Sequence, residues 1–593
     1  MAWYHEAVFY QIYPLGLLNA PAENNYGPVV HRLKALDDWI LHIKKLNVDC
    51  IYLGPCFQSG SHGYDTTDYK TVDSRLGDTD DLKHFVEEAH RNKIRVIFDG
   101  VFNHTGRDFF AFRDIREKRE KSAYCGFYRD LNFSGDNSFH DGFSYNSWHG
   151  VDLLPQLNQT NPEVVSYFSD VIRYWVRTFD IDGIRLDAAE DMNIDFLKAL
   201  RRTANEVKKD FWLMGEVIHG DYTRFTGPDI LHAVTNYQLH KPIYSAHNSH
   251  NYFELAYNVQ RIYDLAGQNP MAFGLYNFLD NHDVSRIASL LDNQAHLFPA
   301  YVLLYTMPGV PSIYYGSEFG IRGRKEDGDP ALRPALDLSD HRDDFKTNPL
   351  TRLIQSLGNI RHSLPALSYG NYRQVFLTNR QYAFLRFLDQ GSKVLVTVNN
   401  DDGEAHMDLD ACGMTRLYGC LSGRSIQAEN GKFAIDLPGN SGEIWKEDSG
   451  TEESREEETT NLERGEERTV AEGTIEAGEE RTVAEGTIEA GEERTVAEEA
   501  IEAGEERTVA EEAIEAGEET SSGQEKAAEP AEEKNTVLPA VPEKPYEEMT
   551  VEELQAAVLA KMAKNGPVTP EMKKTVTDNI WHDSLVNWVK SFR

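Results

Sequence analysis

The chain has 593 residues, 40% of them hydrophobic, enough for a large core and too much for a peptide or a small disulfide-stapled scaffold. Its 97 Asp and Glu against 60 Lys and Arg leave a net charge of −37, which repels nucleic-acid phosphates and anionic membranes. No run of 18 apolar residues occurs, so no membrane span is predicted.

The N-terminus, Met1-Ala2-Trp3-Tyr4-His5-Glu6, has no basic region followed by an apolar stretch, so no Sec-type signal is visible and a cytoplasmic setting is expected. Five cysteines (Cys50, Cys56, Cys125, Cys412, Cys420) are few, odd in number and without zinc-site spacing, as for reduced core thiols.

Apolar runs that read as buried parallel strands recur through the first 365 residues: Val8–Tyr13, Asp49–Gly54, Ile94–Asp99, Gly183–Asp187, Phe211–Glu216, Ile230–Val234, Phe273–Asp280 and Pro311–Tyr315. Helical patterns lie between them, such as Pro162–Phe179 with Asn161 as its cap and proline in its first turn. Eight such units predict an α/β fold, a closed (β/α)8 TIM barrel over residues 1–104 and 156–365. About 50 residues, 105–155, separate the third strand from the next helix and are predicted to form an inserted subdomain over the barrel mouth. From 366 to 448, short alternating runs (Tyr382–Phe387, Val394–Val398, Phe433–Leu437) between Gly, Asn and Asp turns predict an antiparallel β-sandwich.

The charge is uneven. Residues 451–550 hold 9 Lys and Arg and 33 Asp and Glu, leaving −13 on the other 493 residues. A 13-residue repeat runs from Gly465 to Ala477 and recurs from Gly478, Gly491 and Gly504, with two large apolar residues per copy and glycine at each start. That apolar content cannot offset the ordering entropy, so 449–545 reads as a disordered or weakly helical acidic low-complexity linker, with a short solenoid as the other reading. Residues 546–593 read as a small helical module. Thr550-Val551-Glu552-Glu553 has the capping-box pattern, and Ile580, Trp581, Leu585, Trp588, Val589 and Phe592 form an apolar surface expected to dock on its own barrel or on a protein partner, or to pair within a helical hairpin.

In a βα barrel, chemistry sits at the C-terminal strand ends. Four predicted strands end in polar groups here: Asp99 to Asn103-His104, Arg185 and Asp187, Glu216, and Asp280-Asn281-His282-Asp283. Arg185 and Asp187 are two apart on a strand and share a face. A single Asp at a strand end is more often a cap or turn residue. Three carboxylates, an arginine and two histidines at one mouth would cost several kcal/mol of repulsion and desolvation, which the fold itself does not require. Two carboxylates about 5 Å apart suit a retaining glycosidase. Asp187 beside Arg185 fits the ionised nucleophile, and Glu216 near like charges fits the proton donor. Asp283 can hydrogen-bond sugar hydroxyls, and His104 and His282 can donate to them. No P-loop or dinucleotide fingerprint is present.

At these residues the chain resembles the α-amylase family of retaining glycoside hydrolases. The matching segments are Asp99–His104, Gly183–Ala189, Gly215-Glu216-Val217 and Phe278–Asp283, together with Val8–Pro14, His62-Gly63-Tyr64-Asp65 and Gly309–Glu318. The resemblance implies Asp187 as nucleophile, Glu216 as general acid/base and Asp283 as transition-state stabiliser. It places Arg185, His104 and His282 around the −1 sugar, Tyr64 as a stacking platform, and Asp99 as structural support. Tyr145–Gly150 and Leu154-Pro155-Gln156-Leu157-Asn158 resemble the cyclomaltodextrinase, neopullulanase and maltogenic amylase group. That group has an N-terminal sandwich domain that pairs subunits, whereas this barrel starts at residue 8, and it often has lysine at Gln156. The implied activity is hydrolysis of α-1,4 bonds in maltodextrins and cyclodextrins. The alternatives are a 4-α-glucanotransferase using the same residues and a non-catalytic glucan-binding protein. No cofactor is required. Asn103 matches a calcium ligand of secreted relatives, but the acidic calcium loop is absent from Leu15–Gly27, and the other reading is that Asn103 hydrogen-bonds backbone.

Overall fold

The computed structural model describes residues 2–268, 274–448, 550, 553–557 and 559. Eight parallel strands close into a barrel. In chain order they are Phe9–Ile12, Cys50–Leu53, Arg95–Gly100, Gly183–Leu186, Trp212–Gly215, Ala233–Thr235, Gly274–Phe278 and Val310–Tyr314, and the first pairs with both the second and the last. They are buried on both faces almost throughout, which is why they read as continuous apolar runs.

Strand alternation sorts the side chains. Phe9, Cys50, Tyr52, Ile97, Trp212, Met214, Tyr276 and Phe278 fill the interior, while Val8, Tyr10, Ile12, Ile51 and Leu53 join the larger core outside. Trp3 and Tyr4 close the bottom against Trp212. Followed upward, the interior rows change from apolar to polar. Ile97 leads to Asp99, Gly183 to Arg185 and Asp187, and Trp212 and Met214 to Glu216.

Seven strands fall within a residue or two of their predicted positions. The sixth differs: residues 230–234 were expected, and Ala233–Thr235 is observed. Leu231 forms an isolated bridge with Thr226, and its carbonyl accepts from Gly227, so this end of the apolar run belongs to the preceding turn. The predicted start of the seventh strand, Phe273, lies outside the described residues. The helix Pro162–Phe179 forms as expected, with Asn161 Oδ1 accepting the Glu163 N–H at 2.9 Å.

The insertion after the third strand holds a helix, Phe110–Lys118, and a two-stranded ladder of Ser147–Trp148 and Val151–Pro155. Phe112, Phe127, Tyr128, Phe143 and Tyr145 give it an apolar interior. A hairpin of Phe57–Ser59 and Thr66–Val72 stands next to it. Past the helix Pro349–Ser363, a six-stranded antiparallel sheet and a two-stranded ladder pack Leu385, Leu395, Leu409, Phe433, Ile435 and Trp445 between them, as predicted. Arg386, fully buried, donates to the Thr306 carbonyl at 2.6 Å and ties this domain to the barrel.

The acidic repeat lies outside the described residues, as does the terminal module except for its first turn. There the capping box forms. Thr550 N–H donates to Glu553 at 2.7 Å, Glu553 N–H donates to Thr550 Oγ1 at 3.3 Å, and residues 553–557 are helical. All five cysteines are free thiols.

Candidate active site

Arg185 is the centre of the barrel mouth. It is 2% exposed, and its Nη1 lies 2.9 Å from both Asp99 and Asp187. Its Nη2 lies 2.7 Å from Glu216 Oε1. Burial acts to weaken its charge, but the surrounding carboxylates overcome this and hold the guanidinium ionised. Asp99 also accepts from Tyr52 at 2.6 Å and Tyr64 at 3.1 Å, so it fixes Arg185 from below.

Of these carboxylates, Asp187 and Glu216 follow adjacent, paired strands. Glu216 Oε2 accepts the Ala188 N–H at 3.0 Å, and Tyr237 donates to Glu216 Oε1 at 3.4 Å. That N–H is available because Ala188 stands at φ 47°, a left-handed turn directly after Asp187. Carboxylates on the two arms of one guanidinium are compatible with the roughly 5 Å separation of a retaining pair. Burial pushes the Asp187 carboxyl up, Glu216, Asp99 and Asp283 push it further, and Arg185 pulls it down; the net direction is well above the ordinary carboxylate value. The sequence expectation weighed the arginine alone.

Asp283 follows the seventh strand, Gly274–Phe278. Burial acts to raise its pKa, but His282, Arg333 and Arg185 outweigh burial and hold it well below the usual range. His282 Nε2 lies 3.0 Å from Asp283 Oδ2, and its Nδ1 faces the Gln11 amide at 2.8 Å. Tyr64 stacks on the His282 ring at 5.4 Å and 13°, and its hydroxyl contacts His282 Nε2. His104 lies 3.9 Å from Asp187 and faces the Tyr64 carbonyl at 3.2 Å. Burial lowers the His104 pKa to about 3, so it works as a neutral imidazole. The structure thus gathers all seven predicted site residues, Asp187, Glu216, Asp283, Tyr64, His104, Arg185 and His282, around one mouth.

Residues 11–352 match the family model for the alpha amylase catalytic domain. The chain belongs to the α-amylase family. A cyclomaltodextrinase of Bacillus sp is 32% identical over 424 residues, 68% of this chain and 74% of that protein. An intracellular maltogenic amylase of Bacillus subtilis (strain 168) is 30% identical over 352 residues, 56% of this chain and 58% of that protein. A solved cyclomaltodextrinase aligns with a TM-score of 0.66 at 27% identity, covering 75% of this chain and 78% of that one.

In this α-amylase family member several site residues escaped the sequence analysis. Arg333, from the loop after the last strand, lies 3.0 Å from Asp283 Oδ1 and 2.7 Å from Asp329, over the Tyr13 ring at 4.7 Å. Tyr13, His62, Asp329 and Arg333 line a cleft of about 450 Å³ beside the carboxylates. No periodicity marks a loop arginine. Gln11 was findable, since it shares the inward face of its strand with Phe9. Trp148 and His149, within the segment Tyr145–Gly150, both point a ring nitrogen at Asp191 Oδ2 at 3.0 Å.

Asn103 is fully buried. Its Oδ1 meets the amide nitrogens of Gln156 and Gln159, each at 3.4 Å, rather than backbone. Gln159 cannot turn its oxygen there, because that atom accepts the Asn193 N–H at 2.6 Å. Calcium needs six to eight oxygen ligands, and two amide donors aimed at the single matching oxygen do not fit it. No helix among the described residues is long and apolar enough to cross a membrane.

Proposed function

We propose that this protein is a retaining α-glucan hydrolase that cleaves α-1,4 bonds of maltodextrins and cyclodextrins. The observation that carries the reading is Arg185, which holds Asp187 on one arm and Glu216 on the other. Asp187 attacks the anomeric carbon of the −1 sugar while Glu216 protonates the departing glycosidic oxygen. Glu216, now a carboxylate, then takes a proton from water, which attacks the glycosyl-enzyme and restores Asp187 with configuration retained. Asp283, kept ionised, accepts from ring hydroxyls and favours the distorted sugar. His104 and His282 donate to those hydroxyls, His104 through the Nε2–H that also faces the Tyr64 carbonyl, and Tyr64 bounds the sugar on one face. No metal takes part in these steps, in keeping with the donors around Asn103.

The intracellular relative and the five free thiols support a cytoplasmic setting. We also infer that the terminal apolar segment docks on this chain or a protein partner. Truncation at residue 450 tests that inference, since unchanged localisation and oligomeric state would remove its basis. The activity is tested by a product profile on maltooligosaccharides, cyclodextrin, pullulan and starch. Short oligomers with the α-anomer formed first are expected. Longer oligomers early in a maltotriose time course would replace hydrolysis with transfer.

A further inference from the structure

A second cleft, of about 520 Å³, lies on the flank of the barrel, and its lining includes none of the seven site residues and no residue of the cleft at Arg333. Its walls carry Tyr26, Gln58, Lys70, Phe110, Arg113 and Tyr167. The volume is within the range of small-ligand sites, about 300–1,000 Å³.

Strand alternation separates the two clefts. On the hairpin strand Thr66–Val72, Tyr69 turns inward and donates to the carbonyls of Val101 at 2.7 Å and His104 at 3.0 Å, beneath the catalytic mouth. Its neighbours Asp68 and Lys70 therefore face the other way, into the second cleft.

Tyr26 forms one lip. It is 48% exposed and stands at φ 53°, which a bulky side chain rarely adopts. Buried Asn24 holds the turn by accepting the Tyr26 N–H at 2.8 Å. This turn presents the exposed ring at the mouth of the cleft. Opposite, Phe110 and Tyr167 pack at 5.7 Å, with the Lys70 ammonium 5.6 Å over the Tyr167 ring. Among the described residues neither Lys70 nor Arg113 makes a side-chain hydrogen bond or ion pair.

The chemistry points to one ligand class. Two cations, Lys70 and Arg113, face two carboxylates, Asp68 and Asp108, so the cleft does not select an ion of either sign. Aromatic rings beside an amide, carboxylates and cations fit a neutral ligand with apolar C–H faces and a rim of hydroxyls.

We propose that this cleft is a second, non-catalytic site for an α-glucan oligosaccharide. The proposal rests on the reading of the protein as an α-glucan hydrolase. The site keeps a long glucan on the enzyme while another stretch of it, or a neighbouring chain, occupies the barrel mouth.

The test uses the full chain with maltoheptaose and soluble starch. Titration of maltoheptaose into Asp187→Asn protein is expected to show two binding events per chain. Adding Tyr26→Asn and Arg113→Ala should leave one. Both positions are exposed, and asparagine tolerates positive φ, so the fold is retained and an unchanged Tm checks it. In an otherwise native chain the same pair should weaken starch binding by roughly tenfold and leave kcat/KM for maltotriose within about twofold. One event in both proteins, or starch binding that the pair does not alter, overturns the second site while maltotriose cleavage stands. A native chain that leaves maltotriose intact overturns the activity instead, and the second site then stands only if the pair still removes a binding event.

Discussion

Asp187 and Glu216 meet on one guanidinium, at 2.9 and 2.7 Å from the two arms of Arg185. One positive charge thus serves two buried carboxylates, with Asp99 taking a share of it at 2.9 Å. The cluster is over-supplied with negative charge.

That excess predicts opposite effects of Asp187→Asn on activity and stability. Turnover should fall by at least about a thousandfold, since the amide cannot attack the anomeric carbon. Stability should rise at neutral pH. A carboxyl whose folded pKa is raised costs nothing below its unfolded value of about 3.9, and its cost grows as pH climbs to the folded value. The variant should therefore show a higher Tm at pH 7 and an equal Tm near pH 3. Retained turnover would remove Asp187 from the chemistry, and a lower Tm at pH 7 would contradict the electrostatics.

The same balance sets the acid limb of the pH–rate profile. Asp187 must be ionised to attack, and burial with three neighbouring carboxylates pushes its pKa up. The acid limb of kcat/KM should lie above the ordinary aspartate value of about 3.9. Asp99→Asn removes one raising charge and frees Arg185 for Asp187, so the limb should move to lower pH even as the rate falls. A limb that stays in place would show that another group controls it.

Arg333 is expected to matter as much as a residue of the catalytic trio's own strands. It pairs with Asp283 at 3.0 Å and Asp329 at 2.7 Å, and its Nε donates to the His282 carbonyl at 3.0 Å. Arg333→Gln should lower kcat/KM about 10- to 100-fold, the range for losing a charged hydrogen bond in a partly buried site. Arg333→Lys should restore little, because an ammonium cannot span three acceptors in fixed directions. Full activity in the lysine variant would mean that only the charge is used.

The barrel was legible because its strands are buried on both faces and read as apolar runs. The site was legible where a polar residue continued an inward row, as Arg185 and Asp187 do above Gly183. Gln11 obeys the same rule but carries no charge to draw notice. Arg333 and Asp329 sit in a loop, where no period exists to read. The state of Asp187 was misjudged in balance rather than in kind. Its arginine partner is adjacent in sequence, whereas burial and the charges of Asp99, Glu216 and Asp283 arrive only through folding. The shortened sixth strand reflects competition within one apolar run, whose first residues are tied into a turn.

Asn103 resembles a calcium ligand of secreted relatives, and its Oδ1 faces the Gln156 and Gln159 amides at 3.4 Å. Rotating Gln159 to offer an oxygen would strand the Asn193 N–H that it now accepts at 2.6 Å, at the cap of the helix Ile194–Val207. Giving up that hydrogen bond costs about 0.5–1.5 kcal/mol, which works against a cation at this place. Exhaustive chelation should therefore leave both Tm and kcat on maltotriose unchanged, and added calcium should raise neither. Gln159→Glu removes the blocking amide and adds a carboxylate, so it should loosen the Asn103 contact and lower Tm unless calcium is supplied. A native protein that loses Tm on chelation and regains it with calcium would instead show that these side chains rearrange around an ion.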